Sequence, residues 1–129
     1  MRTDILKVAL PLGFFVFISA IIYIADNASY NFALRWVGAI PYGDKIAHAM
    51  LYGAMAMFLN YGLSYRKVKG MQLGAIIVLT FAILEEFTQM YIPSRTFDLY
   101  DILADIVGVT LFSLIKIRWI VTILTIVII

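Results

Sequence analysis

The sequence predicts an all-α, polytopic integral membrane protein with four transmembrane helices. Three observations predict it. Of the 129 residues, 64% are hydrophobic, where soluble domains run at roughly 45–50%. Mean hydropathy is +0.97. The apolar residues fall in four runs near the ~20 residues a spanning helix needs, and the charges gather between them. The chain reads as a single domain, 1–129, whose core is helix packed on helix in lipid.

The first run, residues 5–25, carries one charge, Lys7, near its start. A cleavable leader would have a shorter apolar core and a small-x-small site after it, so this run is read as a retained helix. Pro11 sits in its first half, where proline kinks a helix. Residues 26–43 are polar and aromatic, with Tyr30, Phe32, Trp36 and Tyr42. Such rings favour the headgroup level. The segment is expected along the interface, as a connecting loop rather than a lid.

The second span, 46–63, is approached through Asp44 and Lys45. A basic turn follows, with Arg66, Lys67, Lys69 and Gly70. The third span, 71–92, carries Glu85, Glu86 and Gln89 near its end. Pro93, Ser94, Arg95 and Thr96 make the next turn. The fourth span, 99–115, begins with Asp101 and Asp105 and ends at Lys116 and Arg118. The tail, 119–129, is apolar but only 11 residues long; at ~1.5 Å per residue it is too short to cross. It either lies in the interface or extends the fourth helix.

Basic residues set orientation. Four spans put Arg2, Lys7, Arg66, Lys67, Lys69, Lys116 and Arg118 on one side and Arg35, Lys45 and Arg95 on the other. Seven against three places both termini in the cytoplasm; in a bacterial cell the membrane is then the inner one. The acidic helix ends then face outward.

Those ends hold the candidate site. Asp44 and His48 are four apart on one helix face, with Tyr52 a turn further on. Glu86 and Gln89 share a face, which leaves Glu85 pointing elsewhere. Asp98, Asp101 and Asp105 are spaced three then four. A carboxylate at mid-membrane costs about 2.5–3.5 kcal/mol, and less near the interface. Six carboxylates against Lys45 and Arg95 leave a rim charge of −4 with His48 neutral. That excess calls for a cation, a cationic ligand group or protonation.

Plainer roles stand beside these. His48 fits a structural partner of Asp44, Asp101 a helix cap, Arg95 a counter-charge to Asp98 or Glu86, and Lys45 an interface anchor. The basic turn fits a topology signal. Gly70 with Gly74, and Ala104 with Gly108, match small-xxx-small packing motifs. There is no cysteine, which excludes disulfides and thiolate metal sites. No basic stripe with interleaved aromatics points to nucleic acid.

Asp44-Lys45-Ile46-Ala47-His48, then Glu86-Phe87-Thr88-Gln89, Arg95, and Asp101-Ile102-Leu103-Ala104-Asp105-Ile106-Val107-Gly108 together resemble the VanZ-like family of bacterial membrane proteins. That family shows D-K-x-x-H, E-x-x-Q, an Arg in the next turn and D-x-x-x-N-x-x-G in this order. Here Asp105 stands where the family usually has Asn. The resemblance implies a cell-envelope role, linked in some members to glycopeptide (teicoplanin) resistance.

Three function classes are therefore expected to compete. The first is a protein binding or modifying an envelope lipid or cell-wall precursor headgroup, with Asp44, Lys45, Gln89, Arg95 and Asp105 as contacts. The second is a metal-dependent membrane hydrolase or transferase. Its candidate catalytic residues are His48, Glu86 and Asp101, and His48, Glu86, Asp101 and Asp105 would hold a divalent cation. The third is a proton- or cation-coupled transporter, which four short helices would support only as a homo-oligomer. Whether bonds are made or broken is left open by the residues.

Overall fold

The computed structural model describes residues 2–27, 43–91 and 98–128, without the side chains of residues 2, 3, 24–27 and 44. The interfacial segment expected at 26–43 falls mostly outside the described residues. So do the turn carrying Arg95 and the side chain of Asp44.

Among the described residues the chain is helical apart from one small hairpin. Helix α1 spans Arg2–Asn27 and runs through Pro11. Helix α2 spans Gly43–Gly62. Strands β1, Lys67–Val68, and β2, Met71–Gln72, pair antiparallel. Helix α3 spans Leu73–Thr88 and tightens into a 3₁₀ turn, Gln89–Tyr91. Helix α4 spans Leu99–Phe112, and α5 spans Arg118–Ile128.

One expectation is corrected here, and one open alternative is closed. The third span was to begin at Met71, but Met71 and Gln72 belong to the hairpin. The reason is local: Lys69 and Gly70 both take positive φ, 52° and 82°, as a two-residue hairpin loop requires. Gly70 is thus a turn glycine, not half of a helix-packing motif. Of the two placements open for the tail, extension of α4 does not occur: the chain leaves helical geometry after Phe112 and restarts as a separate helix at Arg118. Val121 then packs with Tyr61 and Ile117 against Leu6, Leu10, Met57 and Phe58.

Two stretches, Asp4–Tyr23 and Leu73–Tyr91, are long and apolar enough to cross a membrane. Ile5, Val8, Leu12, Val16 and Phe17 on α1 are exposed, as are Ile120, Ile123, Leu124 and Ile126 on α5. Water disfavours apolar surface this continuous, so the helices suggest a membrane protein.

Helix α2 is central, packed on α1, α3 and α4. Its core contacts centre on Tyr52, Met55 and Ala56, which meet Ile18, Val78, Ala82 and Val109. The approach to α4 is close because both helices offer small residues there. A Cβ on Gly108 would collide with the backbone of Ala49, and one on Gly53 would lie 2.7 Å from the Gly108 carbonyl oxygen and the Phe112 ring.

A second tie holds the opposite end. Asn60, 1% exposed, donates to Ser113 Oγ at 3.1 Å and accepts from the Ala75 backbone N–H at 3.1 Å. Ala75 lies in the first turn of α3, where N–H groups lack intrahelical partners, so α2 caps α3 across the interface. Gln72 Nε2 donates to the Ser113 carbonyl at 2.9 Å. Antiparallel succession leaves the molecule with chemically opposite ends. Lys7, the basic hairpin, Lys116 and Arg118 lie at one, where Lys7 Nζ reaches Ser64 Oγ at 3.2 Å and Lys116 and Arg118 sit over the Tyr65 ring. The start of α2, the end of α3 and the start of α4 make the other.

Candidate functional site

Helix α4 begins on Asp98, whose carboxylate accepts from the Tyr100 N–H at 2.8 Å. Asp98 is therefore the cap, and Asp101 and Asp105 are released for other work. Both are buried, at 6% and 1% exposure. From α2, Lys45 Nζ lies 2.6 Å from Asp98 Oδ2 and 2.9 Å from Asp101 Oδ1. Only the first contact has hydrogen-bond geometry. The ammonium beside Asp98 holds its carboxyl below the usual carboxylate range.

One turn after Lys45, His48 enters the same space. Its Nδ1 lies 2.9 Å from Asp105 Oδ1, and its Nε2 3.7 Å from Asp101 Oδ2. The ring is held by a carboxylate 57 positions later in the chain; the side chain of Asp44, the partner the helical spacing offered, lies outside the described residues. Close packing of Ala49 on Gly108 is what brings them together, since His48 precedes the first and Asp105 is one turn from the second.

Helix α3 supplies Glu86, fully buried. Its Oε1 accepts from the Asp98 backbone N–H at 3.0 Å, which ties the end of α3 to the cap of α4. Its Oε2 is buried with no hydrogen-bond partner among the described residues, as is Asp105 Oδ2. One ligating atom each from His48, Glu86 and Asp101 lies within 4.8 Å of the other two.

Glu85 departs from the helical-wheel reading. It is buried too, and Gln89 Nε2 donates to both its oxygens at 3.0 Å. Tyr52 Oη approaches it at 3.5 Å. The end of α3 sits between α2 and α4, so neighbouring positions on its wheel are both covered. Gln89 consequently serves Glu85 and does not face Glu86. Of the expected site residues, the fold joins Lys45, His48, Glu86, Asp101 and Asp105; Gln89 lies behind them with Glu85. Arg95 and the Asp44 side chain are outside the described residues. The Asn60–Ser113 tie was not singled out from sequence, although an amide inside an apolar run was a signal for it.

Five carboxylates, Glu85, Glu86, Asp98, Asp101 and Asp105, thus gather with Lys45 and His48 at one end of three helices. Residues 3–122 match the VanZ/LLP1 family. The chain belongs to the VanZ/LLP1 family. The match takes in all three helices that build this site. A curated relative, an uncharacterised protein of Schizosaccharomyces pombe, is 29% identical over 81 residues, covering 62% of this chain and 50% of its own length. The chain therefore spans half the length of that relative. A fungal relative also means that family resemblance by itself does not fix a bacterial source. No solved structure matches the chain.

Proposed function

We propose that this VanZ/LLP1 protein is a four-span membrane protein that binds, or modifies, the phosphorylated headgroup of an envelope lipid or cell-wall precursor at its acidic end. The observation that carries this reading is the gathering of Lys45, His48, Glu86, Asp101 and Asp105 from three helices at one end of an otherwise apolar bundle. Buried ionisable groups in such a setting are expensive and are retained for function. Lys45, and Arg95 in the adjoining turn, supply positive charge for phosphate; the carboxylates suit an amine or a bridging cation.

The segregation of basic residues to the opposite end supports an orientation with both termini in the cytoplasm and the acidic end outward, in a bacterial inner membrane. There a protein that covers a precursor headgroup would restrict a glycopeptide's access to it, which is the sense in which teicoplanin resistance fits. A metal-dependent hydrolase or transferase acting on the same headgroup is the second reading, favoured by the imidazole facing two carboxylates.

Native mass spectrometry of the purified protein tests the binding reading. Copurified phosphorylated lipid is expected with the wild type, with loss in Lys45→Met and Arg95→Ala. Equal retention in both variants refutes it.

A further inference from the structure

We infer that His48, Glu86 and Asp101 form a binding site for one divalent transition cation of the zinc or manganese kind, and that Asp105 positions His48 for it. The inference rests on the reading that this end is the functional one, and adds an inorganic cofactor to it.

The two nitrogens of His48 have different partners. Nδ1 sits 2.9 Å from Asp105 Oδ1, so in the neutral ring the tautomer protonated on Nδ1 donates to that carboxylate and leaves Nε2 its lone pair. Metal-bound histidines are held in this way, with the far nitrogen pinned by a carboxylate. Nε2 points toward Asp101 Oδ2 at 3.7 Å. Two ligands each ~2.0–2.2 Å from a shared zinc ion lie no more than about 4.4 Å apart, so this pair already fits. One potential ligand atom from each of the three residues lies within 4.8 Å of the other two, near the spacing of ligands on a single ion.

The independent sign is Glu86. It is fully buried and its Oε2 has no partner among the described residues. A buried carboxylate oxygen with an open lone pair is costly, and a cation between Glu86, His48 and Asp101 satisfies it. An imidazolium does not balance the charge. With every carboxylate ionised, Glu85, Glu86, Asp98, Asp101 and Asp105 against Lys45 and a protonated His48 still leave five minus two, or −3, among the described side chains. One nitrogen and two carboxylate ligands suit zinc or manganese better than calcium, which takes six to eight oxygens. Three protein ligands leave a position open to a headgroup phosphate oxygen.

The test is equilibrium dialysis of the tag-free, chelator-stripped protein in detergent against zinc, manganese or calcium chloride, with metal read by elemental analysis. We expect one zinc or manganese ion per chain and weaker calcium binding. His48→Ala and Glu86→Gln should abolish stoichiometric binding, while Asp105→Asn should weaken it by about 10–100-fold. A cobalt(II) titration of the wild type gives a variant-independent readout: visible ligand-field bands quenched by zinc are expected. Absence of stoichiometric binding of zinc and manganese overturns the inference, as does binding unchanged in folded Glu86→Gln. A protein that binds metal yet copurifies no phosphorylated lipid refutes only the headgroup reading. One that retains lipid after chelation and binds no ion refutes only the metal.

Discussion

Gly108→Ala should damage both stability and site, through one contact. The added Cβ would fall on the Ala49 backbone, with Ala49 C and Cα at 2.6 Å and the carbonyl oxygen closer still. All three atoms are backbone, so no rotamer change relieves the overlap. Reaching ordinary contact at roughly 3.5 Å moves α4 from α2 by about 1 Å. Overpacking costs about 1–3 kcal/mol, and overlap with unyielding backbone belongs in the upper part of that range, at about 2–3 kcal/mol. Alanine's helix preference over glycine returns up to about 1 kcal/mol, leaving a net loss of about 1–2 kcal/mol. The same displacement would stretch the His48–Asp105 contact from 2.9 Å beyond hydrogen-bond reach. Gly13→Ala is the matched control, since nothing lies within 4 Å of a Cβ there; it should be neutral or stabilising. Thermal melting of both variants in one detergent, with zinc affinity alongside, makes the comparison. A Gly108→Ala protein as stable as wild type, or one no more affected than Gly13→Ala, refutes the claim that this approach sets the site.

Other outcomes follow from the same geometry. Asn60→Ala strands the Ala75 N–H and the Ser113 hydroxyl and should cost about 2–4 kcal/mol, read by thermal melting against wild type; an unchanged melting temperature contradicts the capping role. Lys45→Met removes the cation that depresses the Asp98 pKa. That depression stabilises the fold fully above the ordinary aspartate value, about 3.9, and is lost as pH falls through the lowered one. The stability gap between wild type and variant should therefore shrink on the acid side; a gap independent of pH would argue against the pair. The cysteine-free chain suits topology mapping by single cysteines. Leu99→Cys should react with an impermeant maleimide on intact cells and Lys69→Cys should not, and the reverse pattern would turn the site inward.

Much of the architecture was readable from spacing. His48, Glu86, Asp101 and Asp105 were legible because each sits near the end of an apolar run, where charge is costly and helical periodicity says which residues share a face. Their partners were not legible. Spacing offered Asp44 to His48 and Gln89 to Glu86, both on the same helix. The fold supplies Asp105 to His48 and gives Gln89 to Glu85. Helical periodicity describes one helix at a time; it carries no information about which neighbour covers which face. The hairpin at 67–72 was hidden for a different reason. Two residues per strand are too few for an alternating pattern, and only the strand pairing and the backbone angles at Lys69 and Gly70 disclose that the basic turn is a hairpin.

Composition and order along the chain determined the helical class, the apolar surface and the placing of acid and base at opposite ends, because these depend on residue type and local period alone. Tertiary structure decided the roles of the carboxylates. Asp98 caps a helix, Asp105 holds an imidazole, Glu85 binds an amide, and Glu86 keeps one buried oxygen without a partner among the described residues. Such assignments depend on distances between helices, and these are set by how closely small residues such as Ala49 and Gly108 allow two backbones to approach.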